Sequence, residues 1–174
     1  CGAKVDFVDI DPVTYNLSIK ELERKLIQAK QDNVLPKIVM PVHFAGQSCN
    51  MKKIHSLSKE YGFSVIEDAS HAIGGKYLNQ LIGNCQYSDI TVFSFHPVKI
   101  ITTAEGGLVS TNDPKLANKI RTLISIGIDK NPWTRTAEKM SYKYDLKYPG
   151  YKFNFTDLQA SIGIEQLKKI KKII

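Results

Sequence analysis

A chain of 174 residues, 43% of them hydrophobic, is long enough to bury one core, and its composition excludes a disordered or collagen-like polymer. The formal charge of +7 favours anionic partners, yet apart from Lys168-Lys169-Ile170-Lys171-Lys172 the basic residues are scattered, with no aromatic-interleaved patch suited to nucleic acid. No apolar run approaches the roughly 20 residues that span a bilayer, and no secretory signal opens the chain, so a soluble, cytoplasmic protein with neither membrane nor nucleic-acid partner is expected.

Residues 4–10 alternate apolar and polar side chains and end at Asp11-Pro12, which predicts a strand followed by a turn. Ser18 and Glu21 are spaced as a capping box that opens a helix to about Lys30, with Ile19, Leu22, Leu26 and Ile27 on one face. A short apolar strand over 37–42 leads into the loop His43-Phe44-Ala45-Gly46. Asn50 then caps a second helix from about Met51 to Tyr61, which Gly62 stops in the left-handed conformation that glycine favours. A third strand covers 63–68. Strands and helices alternate at the spacing of βαβ units, so the expected architecture is a mostly parallel sheet flanked by helices in three layers.

Farther along, 76–83 reads as a hairpin around Asn79-Gln80, and strands follow at 89–95 and 107–111. Asn112-Asp113-Pro114 supplies an N-cap and a first-turn proline for a helix to about Ile124. Residues 127–153 are irregular, rich in Tyr, Lys and Pro, and contain Trp133; a loop of this length usually carries function or meets a partner. Thr156 and Gln159 form another capping box, opening a helix expected to run to the end. Cys1-Gly2-Ala3 enters a strand-like run without a methionine, and the last helical pattern has no C-cap, so a piece of a longer protein is expected. The cysteines at 1, 49 and 85 and the histidines at 43, 55, 71 and 96 lack the spacings of a disulfide framework or a zinc site, and no metal is expected.

The chemistry concentrates where strands end. Pro97 cannot donate to a sheet ladder and marks the exit from strand 89–95, leaving Lys99 on a loop at a strand end, where open α/β sheets bind ligands. A lysine held near apolar groups loses its proton and attacks carbonyls, so Lys99 is a candidate Schiff-base lysine; the same local pattern also fits a solvated surface lysine. Asp68 ends strand 63–68, on the same sheet edge if both strands run parallel. Such a pair is either a plain salt bridge or the two poles of a pyridine cofactor, because pyridoxal phosphate takes a lysine at its aldehyde carbon and an acid at its ring nitrogen.

Glu67-Asp68-Ala69-Ser70-His71-Ala72, Phe93-Ser94-Phe95-His96-Pro97-Val98-Lys99, Thr102-Thr103-Ala104-Glu105-Gly106-Gly107 and the run from Gly150 to Ala160 occur in that order. In this the chain resembles the sugar aminotransferases of the DegT/DnrJ/EryC1/StrS family, fold-type-I enzymes dependent on pyridoxal 5'-phosphate. The resemblance covers essentially the whole chain. Pro41-Val42-His43-Phe44-Ala45-Gly46-Gln47 and the Pro97-Val98 before Lys99 look most like the branch that aminates UDP-4-keto-6-deoxy-N-acetyl-altrosamine on the way to pseudaminic acid.

The resemblance implies roles residue by residue. Lys99 would bond covalently to the cofactor, Asp68 would pair with its ring nitrogen, His71 with its phenolic oxygen, and Ser94 would hold its phosphate. Ser70 stands where alanine is more familiar, against the ring face. Asn154 matches the asparagine that reaches the phosphate in a neighbouring subunit, which implies a homodimer with shared sites. The implied substrates are a nucleotide-linked keto-deoxysugar and an amino-acid donor, glutamate in related enzymes. The implied fold is the large domain of such an enzyme, without its N-terminal phosphate loop and C-terminal small domain. Pyridoxamine-dependent sugar dehydratases share the family but replace the lysine, and catalytically idle relatives used for binding or regulation also exist. On the residues alone, His71 reads as a core histidine and His96 as structural, while Ser94 also fits a strand neighbour and Glu105 with its glycines a tight turn.

Overall fold

The computed structural model describes residues 2–128 and 145–174. Helix α1, Ile19–Gln31, opens where the Ser18 hydroxyl accepts the Glu21 N–H at 3.3 Å, and it turns Leu22 and Leu26 inward. Helix α2, Met51–Tyr61, begins at Asn50, whose side chain accepts the Lys53 N–H, and ends at Gly62 with φ +78°. Both caps satisfy amide groups that the first helical turn leaves unpaired. Leu22, Leu26, Met51, Ile54 and Leu57 from these helices pack on Val39, Phe63 and Val65 to form the main core. Truncating a fully buried leucine such as Leu26 to alanine in a core of this kind costs about 2–5 kcal/mol.

Among the described residues six strands follow the chain: β1 Ile38–Val39, β2 Ser64–Asp68, β3 Lys76–Tyr77, β4 Gln80–Leu81, β5 Ile90–Ser94 and β6 Gly107–Ser110. β3 and β4 form the expected hairpin, and the other four make one sheet in the order β1-β2-β5-β6. The pairings β1 with β2 and β2 with β5 are parallel, while β6 runs antiparallel to β5. The register places Glu67 opposite Thr91, Asp68 opposite Val92, and Ser94 opposite Gly107. Because successive strand residues point to opposite faces, Val65, Glu67, Thr91 and Phe93 share the buried face, while Ile66, Asp68, Val92 and Ser94 share the other, half-buried one.

Helix α3, Pro114–Ile124, starts where Asp113 accepts the amides of Lys115 and Leu116. Helix α4, Asp157–Lys168, has both halves of its capping box, Thr156 Oγ1 accepting the Gln159 N–H and Gln159 Oε1 accepting the Thr156 N–H.

Four expectations change. Residues 4–10 are not a strand: they pair with no strand among the described residues, only the bridge Ile10 to Leu17 forms, and Phe7 is 80% exposed. The strand expected over 37–42 shortens to two residues because Pro41 has no N–H to donate, although its carbonyl still accepts the Asp68 N–H at 2.9 Å. The last helix breaks at Lys169 and resumes as α5, Ile170–Ile173. The 127–153 segment is not wholly irregular, for bridges join Ser125 to Lys152 and Ile128 to Leu146; Trp133 lies outside the described residues.

Candidate active site

The site begins with the carboxyl ends of β2 and β5. Asp68 is the last residue of β2, and its main chain is fixed on both sides: its N–H donates to the Pro41 carbonyl at 2.9 Å and its C=O accepts the His43 N–H at 3.0 Å. Its side chain lies on the half-buried face. Oδ1 accepts the Ser70 N–H at 2.9 Å, while no hydrogen bond among the described residues engages Oδ2. A carboxylate with one oxygen tied down and the other open is oriented and still able to accept a proton-bearing nitrogen.

Ser94 ends β5 on the same face as Asp68, since Asp68 is level with Val92 and Ser94 is two residues farther along the strand. Its Oγ accepts the His96 N–H at 3.3 Å, which leaves the hydroxyl proton to donate outward.

Lys99 lies on the loop that joins β5 to β6. The base of that loop is closed by the Phe95 N–H on the Gly106 carbonyl at 2.9 Å and the Thr103 N–H on the Phe95 carbonyl at 3.0 Å. Ile101 and Thr103 are buried beneath it, so the loop is anchored from inside. Helix α4 braces the far side: Gln159 Nε2 donates to the Glu105 carbonyl at 2.8 Å, and a Cβ on Gly163 would stand 2.9 Å from Thr103 Cγ2. The Lys99 N–H donates to the His96 carbonyl, and its half-buried side chain has no hydrogen bond or ion pair among the described residues. Lys99 and Asp68 thus share a sheet edge without forming a salt bridge with each other.

The other expected residues are less gathered. Ser70 is half-buried beside Asp68, while His71 is exposed on the turn just after β2. Asn154 is exposed and lines an open groove with Glu105, Gly106 and Phe155, on the β6 side of the lysine loop and not against Asp68. His96 approaches Glu105 at 3.9 Å on the surface.

Behind this face lies a buried polar cluster that the sequence reading did not single out. Glu67, 5% exposed, accepts the His43 Nε2–H at 2.7 Å and the Thr91 hydroxyl at 2.9 Å, and is also bonded by the Ser88 hydroxyl. Burial pushes the Glu67 carboxyl up, but these hydrogen bonds outweigh it and hold the group below the usual carboxylate range. The available signal was phase: Glu67 alternates in step with Val65, on the apolar face of its strand, where a charge needs partners.

A mostly parallel sheet flanked by helices is the α/β architecture of fold-type-I pyridoxal-phosphate-dependent transferases, and the solved structures this chain resembles are aminotransferases. The model of the DegT/DnrJ/EryC1/StrS aminotransferase family matches residues 1–174, and the chain belongs to that family. It is 44% identical over 167 residues to an uncharacterized protein of Methanocaldococcus jannaschii, covering 96% of this chain and 41% of the relative. It is 41% identical over 169 residues to the spore coat polysaccharide biosynthesis protein SpsC of Bacillus subtilis, covering 97% of this chain and 41% of SpsC. Among solved structures, Helicobacter pylori PseC, an aminotransferase involved in the biosynthesis of pseudoaminic acid, superposes with TM-score 0.83 at 32% identity over 98% of this chain and 42% of that one. A candidate sugar aminotransferase of Streptococcus pneumoniae in its PMP form gives TM-score 0.80 at 28% identity, over 98% of this chain and 46% of that one. The chain therefore spans about two fifths of the length of the curated relatives it matches.

Proposed function

We propose that this chain is the central part of the large domain of an aminotransferase that moves an amino group from an amino acid to a keto group of a nucleotide-linked deoxysugar. The observation that carries the reading is the Asp68 carboxylate, oriented by Ser70 with no hydrogen bond to Oδ2 among the described residues, on one sheet edge with a lysine that has no partner among those residues and is held on an anchored loop. Among the described residues the groups fit pyridoxal phosphate: a carboxylate oxygen without a hydrogen bond for the ring nitrogen, an amine without a partner for the aldehyde, and a Ser94 hydroxyl with its proton left to donate for the phosphate. When bound, that cofactor supplies the electron sink for bond cleavage at the donor's α-carbon.

The chain's own residues then divide the work. Asp68 would hold the proton of the ring nitrogen, and Lys99 would hold the cofactor through Nζ and supply the amine that takes and returns a proton. His71, on its exposed turn, would hydrogen-bond the phenolic oxygen, and Ser70 would pack on the ring. Asn154 serves the phosphate of a neighbouring subunit's site in a homodimer. The exposed apolar residues around it, Tyr151, Phe153, Phe155 and Leu158, support a face that meets another surface.

Glutamate is the proposed donor. A sugar on the route to pseudaminic acid is the proposed acceptor, supported by the likeness to PseC; the likeness to SpsC supports surface-polysaccharide synthesis more broadly. Among the described residues no helix is long and apolar enough to cross a membrane, and a cytoplasmic location is proposed. The test is an absorbance scan of the full-length protein with added pyridoxal phosphate, then borohydride reduction and mass mapping. A visible band and a label on Lys99 are expected; an intact protein showing neither would overturn the reading.

A further inference from the structure

The cluster behind Asp68 has an arrangement that stability alone does not require. Glu67 and Asp68 are neighbours in β2, so their side chains leave opposite faces of one strand. His43 touches both. Its main-chain N–H donates to the Asp68 carbonyl at 3.0 Å, and its ring Nε2–H donates to Glu67 at 2.7 Å. The ring is wholly buried, and its Nδ1 accepts the Cys49 N–H at 3.2 Å, which fixes the neutral tautomer with its single proton on Nε2. The remaining Glu67 bonds come from Ser88 and from Thr91 at the level of Glu67 on the adjacent strand β5. One buried carboxylate thus ties together the loop after β1, strand β2, the approach to β5, and β5 itself, one residue away from Asp68.

A buried charge held this way is poor evidence for stability, because well-packed apolar side chains usually serve as well; its better-attested use is to select one register. β1 is two residues long, and beyond it the segment from Pro41 to His43 joins β2 through a single parallel bridge, Val42 to Asp68, whose two bonds are those of Pro41 and His43 to Asp68. The cluster adds a buried side-chain tie, His43 to Glu67, to that one bridge.

We propose that Glu67, acting through His43, is a positioning residue that fixes the Asp68 carboxylate toward the cofactor ring. Glu67 points to the buried face of β2, opposite the face that carries the Asp68 side chain. Its effect passes through the His43 main chain, which sets the Asp68 peptide, and through Thr91, which sets the height of β5 against β2. This inference rests on the assignment of Asp68 to the ring nitrogen made above.

A double-mutant cycle on the full-length protein tests it, reading pyridoxal-phosphate affinity from the visible band and cofactor orientation from visible circular dichroism, at a temperature where every variant is folded. Glu67→Gln keeps the shape but removes the charge that three donors converge on, and its amide N–H pairs only if the Ser88 or Thr91 hydroxyl turns round to accept. It should weaken cofactor affinity about tenfold, the lower end of losses seen for outer-shell partners, and alter the dichroism of the bound cofactor. In an Asp68→Asn background the same change should cost less than about twofold, because residues acting as one unit are non-additive. Should Glu67→Gln not fold, Thr91→Val removes one of the three donors and enters the same cycle with the same expectation. Equal losses in both backgrounds, or unchanged affinity and dichroism, overturn the inference while leaving the aminotransferase reading intact. A parent protein without any visible band overturns both.

Discussion

Gly46 lies directly on the backbone of His71: a Cβ placed on Gly46 would stand 2.8 Å from the His71 carbonyl oxygen, and Gly46 holds φ at +85°. The loop after β1 and the turn after β2 therefore meet backbone to backbone beside Asp68, a contact that only glycine permits. Gly46→Ala should destabilise the protein by about 1–3 kcal/mol through strain and displacement of that turn. Gly62→Ala is the control, for Gly62 has φ +78° but nothing within 4 Å of a Cβ. Its cost should be limited to about 1 kcal/mol of conformational energy. Denaturant midpoints for the two variants check this; a Gly46 variant no weaker than the Gly62 variant would contradict the close approach.

Lys99→Ala should abolish amino transfer and remove the borohydride-fixed label from the 96–106 loop while leaving the thermal midpoint nearly unchanged. The lysine side chain makes no hydrogen bond or ion pair among the described residues, so little structure depends on it. Near-normal transamination by this variant would sink the assignment.

Asp68→Asn should lower the rate by on the order of 100-fold or more, because a neutral amide does not hold a protonated ring nitrogen. The fold should tolerate it. The main-chain bonds of residue 68 to Pro41 and His43 do not involve the side chain, and asparagine retains an oxygen for the Ser70 N–H. Single-turnover rates with the donor, measured beside a melting curve, separate the two effects.

Acid stability should carry the signature of Glu67. Its carboxyl is held below its ordinary value of 4.5 in the folded protein, so the unfolded chain takes up the proton first as pH falls. The stabilisation is complete above that ordinary value and is lost as pH drops through the lower, folded one. As pH falls through 4.5 and below, the melting temperature of Glu67→Gln should therefore fall less steeply than that of the parent. Parallel curves for the two proteins would show that Glu67 is not ionised in its buried site.

Cys49 should resist alkylation in the native state. It is 1% exposed and its Sγ donates to the Val42 carbonyl at 3.1 Å, while burial pushes its thiol pKa up to about 11. Almost no thiolate is then present at pH 8, and the thiolate is the nucleophile. Iodoacetamide labelling with peptide mapping should reach Cys49 only after denaturant is added; rapid native labelling would mean that the loop from His43 to Asn50 opens.

The elements whose signals are local were legible in the sequence. Ser18, Asn50, Asp113 and Thr156 each accept an amide of the turn that follows, so those helix starts are written within four residues of chain. The strands read at 63–68 and 89–95 and the stop at Pro97 likewise placed Asp68 at a strand end and Lys99 on the loop after one. The 4–10 segment alternates apolar and polar side chains but is not a strand, because alternation describes a surface and a strand also needs a partner to bond.

What the sequence by itself determined was the order of the elements, their caps, and the residue types presented where strands stop. Tertiary structure alone decided that Asp68 and Ser94 share one face, that α4 braces the lysine loop through Gln159 and Gly163, and that His43, Glu67, Ser88 and Thr91 close into one buried cluster. The physical reason is range: a cap or a proline acts on its immediate neighbours. Pairing a carboxylate at 67 with donors at 43, 88 and 91 depends on the register of two strands, and that is fixed only when the sheet assembles.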